Sequence, residues 1–413
     1  MDDQSRDETR NEETGPVSFF AKLYRPGPLV ALFTLAFAGL ITLGYFILTD
    51  TTPPDEVAAA AGMVIKAEPV TVVPKVYEED TTGDMEDLVR QADLAVIEAM
   101  RGAGMDLARL GLLDVELRTL DGRPYHYQVL DIPPLKDRSA FLTGLKNRLA
   151  VRVPDAVLTD KGNAEAVITI ASLPTHRLML ETVPMTLPRP SGKGPMLAIV
   201  IDDIGEDLHV LKGLINLNFP VTLAVWPNAS QSRESVRLIQ ASGRDLIIHF
   251  PMEPMGYPAY NPGSDALFTT MSEEAIRKRV ADSVARIPEA IGVNNHMGSK
   301  FTAHTPGMTT ALSEFRQRGL FFLDSLTSAR SVARSVARQT GTPFYQRDIF
   351  LDNVKDVSAI TLQLRKAENV ALKNGVAIAI GHPYPETLAA LKSWHARKNP
   401  NIRVLPLSLL KPQ

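Results

Sequence analysis

The chain has 413 residues, 45% of them hydrophobic and 22% charged, with a formal net charge of -3 and no cysteine. That length exceeds one ordinary domain and suits two. The near-neutral charge leaves no electrostatic footprint for nucleic acid, and the lack of cysteine excludes disulfides, thiolate catalysis and sulfur-rich zinc sites.

Residues 1–27 are polar and charge-rich and read as a disordered cytoplasmic tail. The run LVALFTLAFAGLITLGYFIL, Leu29 to Leu48, carries no charge and is about twenty residues long, enough to cross a bilayer as a helix. It has no polar face at any helical period and is longer than the apolar core of a signal peptide. An uncleaved anchor over residues 28–49 is therefore expected rather than a cleaved leader. Lys22 and Arg25 precede the run, whereas Asp50, Asp55 and Glu56 follow it. The positive-inside rule then leaves the N-terminus in the cytoplasm and everything after residue 50 outside, which in a bacterium is the periplasm or outer surface. Residues 50–83, with their prolines, threonines and acids, read as a linker.

A small α+β domain is expected over residues 84–182. DMEDLVRQADLAVIEAMRGAG has helical periodicity and closes at Gly104. DVELRTLDGRPYHYQV alternates around Asp121-Gly122, a hairpin signal. DRSAFLTGLKNRLAV reads as a second helix, and AEAVITIASL and HRLMLETV as two more strands. No catalytic constellation stands out here, so a binding or spacer role is expected. PMTLPRPSGKGP marks a boundary at residues 183–195.

From Met196 onward the pattern changes. Short apolar runs, LAIVI, VTLAV, DLIIHF, IGV, LFFL, DIFL, VAIAI and IRVLPL, alternate with helical stretches such as SEEAIRKRVADSVARI and DVSAITLQLRKAENVALKNG. Continuously apolar strands are buried on both faces, as in a parallel sheet covered by helices. An irregular (β/α) barrel of about seven strands over residues 196–413, with an open seam, is expected, and a doubly wound open sheet is the alternative.

Barrels of this kind carry their chemistry at the C-terminal ends of the strands. Asp202 and Asp203 follow the first run, and Trp226 and Asn228 the second. In the third, DLII leads to His249, with Glu253 four residues on. Asn294, Asn295 and His296 follow IGV, Asp324 follows LFFL, Asp352 follows DIFL, and His382 follows VAIAI. Three of the eight histidines thus fall on one rim. A single aspartate there reads equally well as a helix cap, and a single histidine as a buried, hydrogen-bonded one. Two adjacent carboxylates repel, and a cation beside them relieves the repulsion. Imidazole and carboxylate together suit Zn²⁺ or another first-row ion, with room left for water and substrate.

These residues resemble the polysaccharide deacetylase superfamily, the NodB-homology fold, and in particular its divergent branch in bacterial envelopes. VIDDIG is similar to the family's first motif, LIIHFPMEP to its metal motif, and FFLDS and AIAIGHP to the later strand-end motifs. NNHMGS is similar to a motif of the divergent branch. The resemblance implies Asp202 as general base, His382 as general acid with Asp324 as its orienting partner, and Asp203, His249 and His296 as ligands of a divalent metal, most plausibly zinc. Trp226, Asn228, Glu253 and Asn295 are candidates for contacting substrate. The match has departures. Ile204 separates the aspartates from Gly205, and Glu253 stands where the metal motif carries a second histidine, leaving Glu253 and His296 as rivals for the third ligand place. The arginine-proline motif that lines the family's groove is not evident.

The implied function is membrane-anchored, metal-dependent deacetylation of an N-acetylated envelope polysaccharide. A catalytically degenerate carbohydrate- or partner-binding protein on the same fold is the alternative. An esterase or amidase acting on another acyl group would keep the same chemistry and change only the pocket.

Overall fold

A computed structural model describes residues 85–120, 123–162, 164–180 and 194–413. The expected tail (1–27), membrane span (28–49), linker (50–83), the Asp121-Gly122 turn and residues 183–193 of the 183–195 boundary lie outside the described residues. Among the described residues, no helix is long and apolar enough to cross a membrane.

Helix α1 (Met85–Gly102) opens the α+β module. Its apolar residues recur at helical spacing, so Val89, Ala92, Val96 and Met100 form one buried stripe. Glu86 and Asp87 in its first turn complement the helix dipole. Strands β1 (Gly111–Leu120) and β2 (Arg123–Asp131) pair antiparallel on either side of the expected turn. Helix α2 (Arg138–Arg152) is capped by Asp137, whose side chain accepts from Ala140 N at 2.9 Å. Strands β3 (Val157–Gly162), β4 (Glu165–Ile170) and β5 (Leu173–Met179) complete a sheet of order β1-β2-β5-β4-β3. The polar edge strand β3, VLTDKG, is mostly exposed, and for that reason carries no apolar run in the sequence.

The second part alternates strand and helix: β6 (Met196–Ile204), α3 (Leu208–Ile215), β7 (Thr222–Val225), α4 (Ser232–Ser242), β8 (Leu246–Met252), α5 (Glu273–Arg286), β9 (Gly292–Met297), α6 (Thr305–Gln317), β10 (Phe321–Asp324), α7 (Ala333–Thr340), β11 (Phe344–Gln346), β12 (Ile349–Phe350), α8 (Val357–Asn374), β13 (Val376–Gly381), α9 (Pro385–His395) and β14 (Arg403–Val404). All strand pairs are parallel, in the order β11-β10-β9-β8-β7-β6-β13-β12, with β14 beside β6. The two end strands, β11 and β12, are consecutive pieces of one stretch that changes partner from β10 to β13 across Arg347 and Asp348. The result is an incomplete barrel, with its irregularity at this seam.

Strand alternation sorts the apolar residues into two layers. Ala198, Val200, Ala224, Ile247, Leu323, Ile378 and Ile380 pack with Leu407 and Leu410 in the barrel interior. Leu197, Ile199, Ile201, Leu223, Ile248, Phe250, Val293 and Phe322 pack outward against the helices.

Helix α8 belongs to both parts. Its Ala359 and Leu362 join the apolar core of the α+β module, while Ile360, Leu364 and Ala367 join the barrel's outer layer. Between them is a buried polar knot. The Lys366 ammonium lies 2.7 Å from Asp93 Oδ2, the His176 ring lies 3.1 Å from Asp93 Oδ1, and Gln128 donates to the same carboxylate. Asp93, His176, Gln128 and Lys366 are all buried. Burial alone would raise the Asp93 pKa, but the Lys366 ammonium and His176 reverse this and hold it at about 2.

Candidate active site

The opening residues of the site are Asp202 and Asp203 at the end of β6. In a regular strand, neighbours point to opposite faces. Alternation from Ala198 and Val200 turns Asp202 into the barrel and would turn Asp203 out toward the helices. Two local features change that. The β6–β7 register shifts between Ile201 and Ile204, the signature of a bulge, and Asp203 has φ 52°, in the left-handed region. Met297 (φ 53°) at the end of β9 and Leu326 (φ 53°) just after β10 are held the same way. Left-handed backbone at non-glycine residues costs energy, and within the parallel-sheet part all three described cases fall at the strand ends that carry the site, the others, Ala164, Ala171 and Ser172, being in the α+β module.

The bulge places Asp203 among three histidines. Its Oδ1 lies 3.3 Å from His249 Nε2 and 3.3 Å from His296 Nδ1, and those two nitrogens are 3.1 Å apart. Its Oδ2 lies 3.7 Å from His382 Nε2. Both Asp203 oxygens are buried, and no hydrogen bond reaches either. A buried carboxylate left so is expensive unless a cation satisfies it. Tetrahedral zinc with nitrogen and oxygen ligands has ligand-to-ligand edges of about 3.3 Å. Asp203, His249 and His296 therefore fit a divalent ion in both chemistry and spacing, and they form the one such cluster among the described residues. Burial alone would raise the Asp203 pKa, but the His296 and His249 rings hold it well below the usual carboxylate range. Burial would likewise depress the His249 imidazole, yet Asp202 and Asp203 outweigh it and raise it.

Asp202 sits on the other side of His249, with Oδ2 3.6 Å from His249 Nδ1. Burial pushes its carboxyl up, against the opposing influence of His249, His382 and the Asn294 amide. His382 directly follows β13. Its Nδ1 lies 3.0 Å from Asp352 Oδ1, and Asp352 Oδ2 accepts from the His382 backbone N at 2.6 Å and from Thr387 Oγ1 at 2.5 Å. With Nδ1 engaged, Nε2 faces Asp203.

Several expectations are corrected. Asp324 does not orient His382; Asp352 does. Asp324 lies one residue out of phase with the interior residue Leu323, so it faces outward. There its oxygens accept from Leu326 N at 2.8 Å and Ser331 Oγ at 2.7 Å, which fastens the turn after β10. Glu253 neither joins the metal cluster nor is available to substrate. Its Oε2 accepts from Thr269 N and Oγ1, both at 2.7 Å, and its Oε1 pairs with Lys300 Nζ at 2.7 Å. Asn295 faces away from the site. Its Nδ2 donates to Met297 O at 2.7 Å, and its Oδ1 accepts from Ser325 N at 2.9 Å. Trp226 is half-buried and stacks on His296, ring centroids 5.2 Å apart, while Asn228 is exposed in the loop after β7.

Two residues in the site were passed over as site residues in the sequence, Asn294 and Asp352. The signal for both was available. Asn294 is two residues before His296, on the same strand face, and Asp352 is two residues after the interior residue Phe350.

A family model described as divergent polysaccharide deacetylase matches residues 199–410. An uncharacterized Haemophilus influenzae protein is 37% identical over 197 residues, covering 48% of this chain and 70% of that protein. The uncharacterized Escherichia coli K12 protein YibQ is 34% identical over 214 residues, covering 52% of this chain and 66% of YibQ, just under two thirds of its length. The crystal structure of an uncharacterized Agrobacterium tumefaciens C58 protein superposes with a TM-score of 0.50 at 27% identity, covering 54% of this chain and 91% of that one.

Proposed function

The chain belongs to the divergent polysaccharide deacetylase family, and from that membership we propose that it is a metal-dependent hydrolase removing acetyl groups from an N-acetylated envelope polysaccharide. The observation that carries the proposal is the buried Asp203 carboxylate, without a hydrogen bond on either oxygen and 3.3 Å from both His249 and His296. We assign zinc as the ion, because the donors are two imidazoles and one carboxylate with no sulfur.

Asp203, His249 Nε2 and His296 Nδ1 would hold the metal. When bound, such an ion acidifies a water molecule and polarises the amide carbonyl. Asp202, one residue from the ligand Asp203, accepts the proton of the attacking water. His382, on the far side of Asp203, gives a proton to the departing sugar amine, with Asp352 holding its Nδ1 so that Nε2 points at the reaction. The products are acetate and a free amine. Trp226, stacked on His296, offers a half-buried aromatic wall for a sugar ring. Residues 29–48 tether the chain to the inner membrane, with this site on the outer side. If so, the full chain sediments with membranes, and deleting the segment releases it.

The deciding experiment compares the wild-type chain with Asp203→Asn. Asparagine tolerates left-handed backbone, so the variant keeps the φ of 52° while losing the charge. About one first-row metal per wild-type chain is expected, the content of a single site of this kind. The variant should hold none. Acetate release from N-acetylglucosamine oligomers or peptidoglycan should follow the metal. A wild-type chain that takes up no metal after supplementation would overturn the reading and leave a binding protein in its place.

A further inference from the structure

Between the proposed proton acceptor and the proposed metal ligand stands one side chain with no part yet in the chemistry. Asn294 lies on β9 directly opposite His249 in the strand register. Its Nδ2 donates to both oxygens of Asp202, at 2.8 and 2.9 Å, and lies 3.2 Å from Ser325 Oγ. Its Oδ1 meets His249 Nδ1 at 2.9 Å. The amide is fully buried, so each of these contacts is made away from bulk water.

The orientation of the amide is determined by its neighbours. Ser325 Oγ donates its own proton to Asn295 O at 3.0 Å, so it can only accept from Asn294. Turned over, the amide would set its oxygen against the Asp202 carboxylate, acceptor against acceptor. With Oδ1 toward His249, the imidazole proton must sit on Nδ1, which leaves the Nε2 lone pair facing Asp203 and His296. A single amide therefore sets the tautomer of one metal ligand and the aim of the carboxylate beside it.

We propose that Asn294 is a positioning residue that couples Asp202 to the metal cluster through His249. The inference rests on the metal-hydrolase reading above, but its two halves separate. The oxygen of Asn294 serves metal binding, and the nitrogen serves the proton acceptor. Asn294→Asp keeps an oxygen against His249 and removes the donors to Asp202. Asn294→Leu removes both.

The test measures Co²⁺ affinity by chelator competition on the full chain, alongside acetate release from N-acetylglucosamine oligomers at saturating metal. Asn294→Leu should bind Co²⁺ about 10–100-fold more weakly, the usual effect of losing a residue that orients a metal-bound histidine. Asn294→Asp should bind Co²⁺ at least as tightly as the wild type, yet lose about 10²-fold or more in kcat with little change in KM, as expected for a misaimed proton acceptor. A residue that merely filled space would weaken both properties together with thermal stability. Should Asn294→Leu fail to fold, the Asn294→Asp split decides alone. Unchanged Co²⁺ affinity in Asn294→Leu, or unchanged kcat in Asn294→Asp, overturns the coupling. Wild type that binds no Co²⁺ overturns the function proposed above instead, and with it the basis for the coupling.

Discussion

Within the site, contacts separate residues that look alike in the sequence. Glu253 and His296 were rivals for one ligand place, and their surroundings distinguish them. His296 Nδ1 lies 3.3 Å from Asp203 and 3.1 Å from His249 Nε2, within the metal cluster, whereas both Glu253 oxygens are taken by Thr269 and Lys300. His296→Ala should therefore abolish metal uptake. Glu253→Gln should leave metal content intact and lower stability by about 1–3 kcal/mol, the effect of disrupting a buried charged hydrogen-bond set. Metal analysis and urea unfolding of the two variants check this. Asp352 and Asp324 form a second such pair. His382→Ala should lower kcat by about 10²–10⁴, the range for a lost proton donor, with metal retained. Asp352→Asn should lower kcat less, and Asp324→Asn should act on stability alone. A larger kcat loss in Asp324→Asn than in Asp352→Asn would reverse the assignment.

At the level of elements, the site depends on where regular structure is broken. The bulge in β6 and the left-handed Asp203 turn two consecutive carboxylates into one barrel interior. Gly205 completes that turn. Its φ is 135°, and a Cβ there would sit 2.4 Å from the Ala229 Cβ. Gly205→Ala should destabilise the chain by about 1–3 kcal/mol through overpacking, and lower metal affinity as β6 shifts. Thermal unfolding with and without Zn²⁺ measures both effects, and an unchanged Tm would show the turn to be more pliant than its packing indicates. Strand β9 shows the opposite case, regularity put to use. Alternation sends Asn294 and His296 inward and Asn295 outward, where it fastens Ser325.

Across the whole molecule, helix α8 is the shared element. It carries Lys366 into the Asp93 knot and runs through Gly375 into β13, the strand that His382 directly follows. Lys366→Met would leave the Asp93 charge buried with only His176, Gln128 and Gln363 beside it. A loss of about 3–5 kcal/mol is expected, as for other buried pairs broken on one side. Acid should act on the same knot. Asp93 falls from its ordinary 3.8 to about 2 in the folded chain. A depressed carboxyl gives stability that is complete above about pH 4 and lost as the pH falls toward about 2, here worth about 2 kcal/mol. Urea midpoints at stepped acid pH should show that loss in the wild type and a smaller one in Asp93→Asn.

The sequence by itself determined the alternation of buried strands and amphipathic helices from Met196 onward, the family, and the ends of strands where Asp202, Asp203, His249, His296 and His382 would meet. Those features are local. Apolar periodicity follows from burial, and parallel strands bring their C-terminal ends to one rim whatever the details. Strand phase, which separates Asn294 from Asn295 and Asp352 from Asp324, was also there to be read. Only the tertiary structure showed the bulge that places Asp203 beside Asp202 on the inner face, because a break in alternation leaves no mark in the apolar pattern. It also decided that Glu253 is a clamp rather than a ligand, because its partners Thr269 and Lys300 come from loops distant in sequence. The docking of the α+β module on α8 was hidden for the same reason. Asp93, Gln128, His176 and Lys366 look like ordinary surface residues one at a time, and only folding brings their charges together out of water.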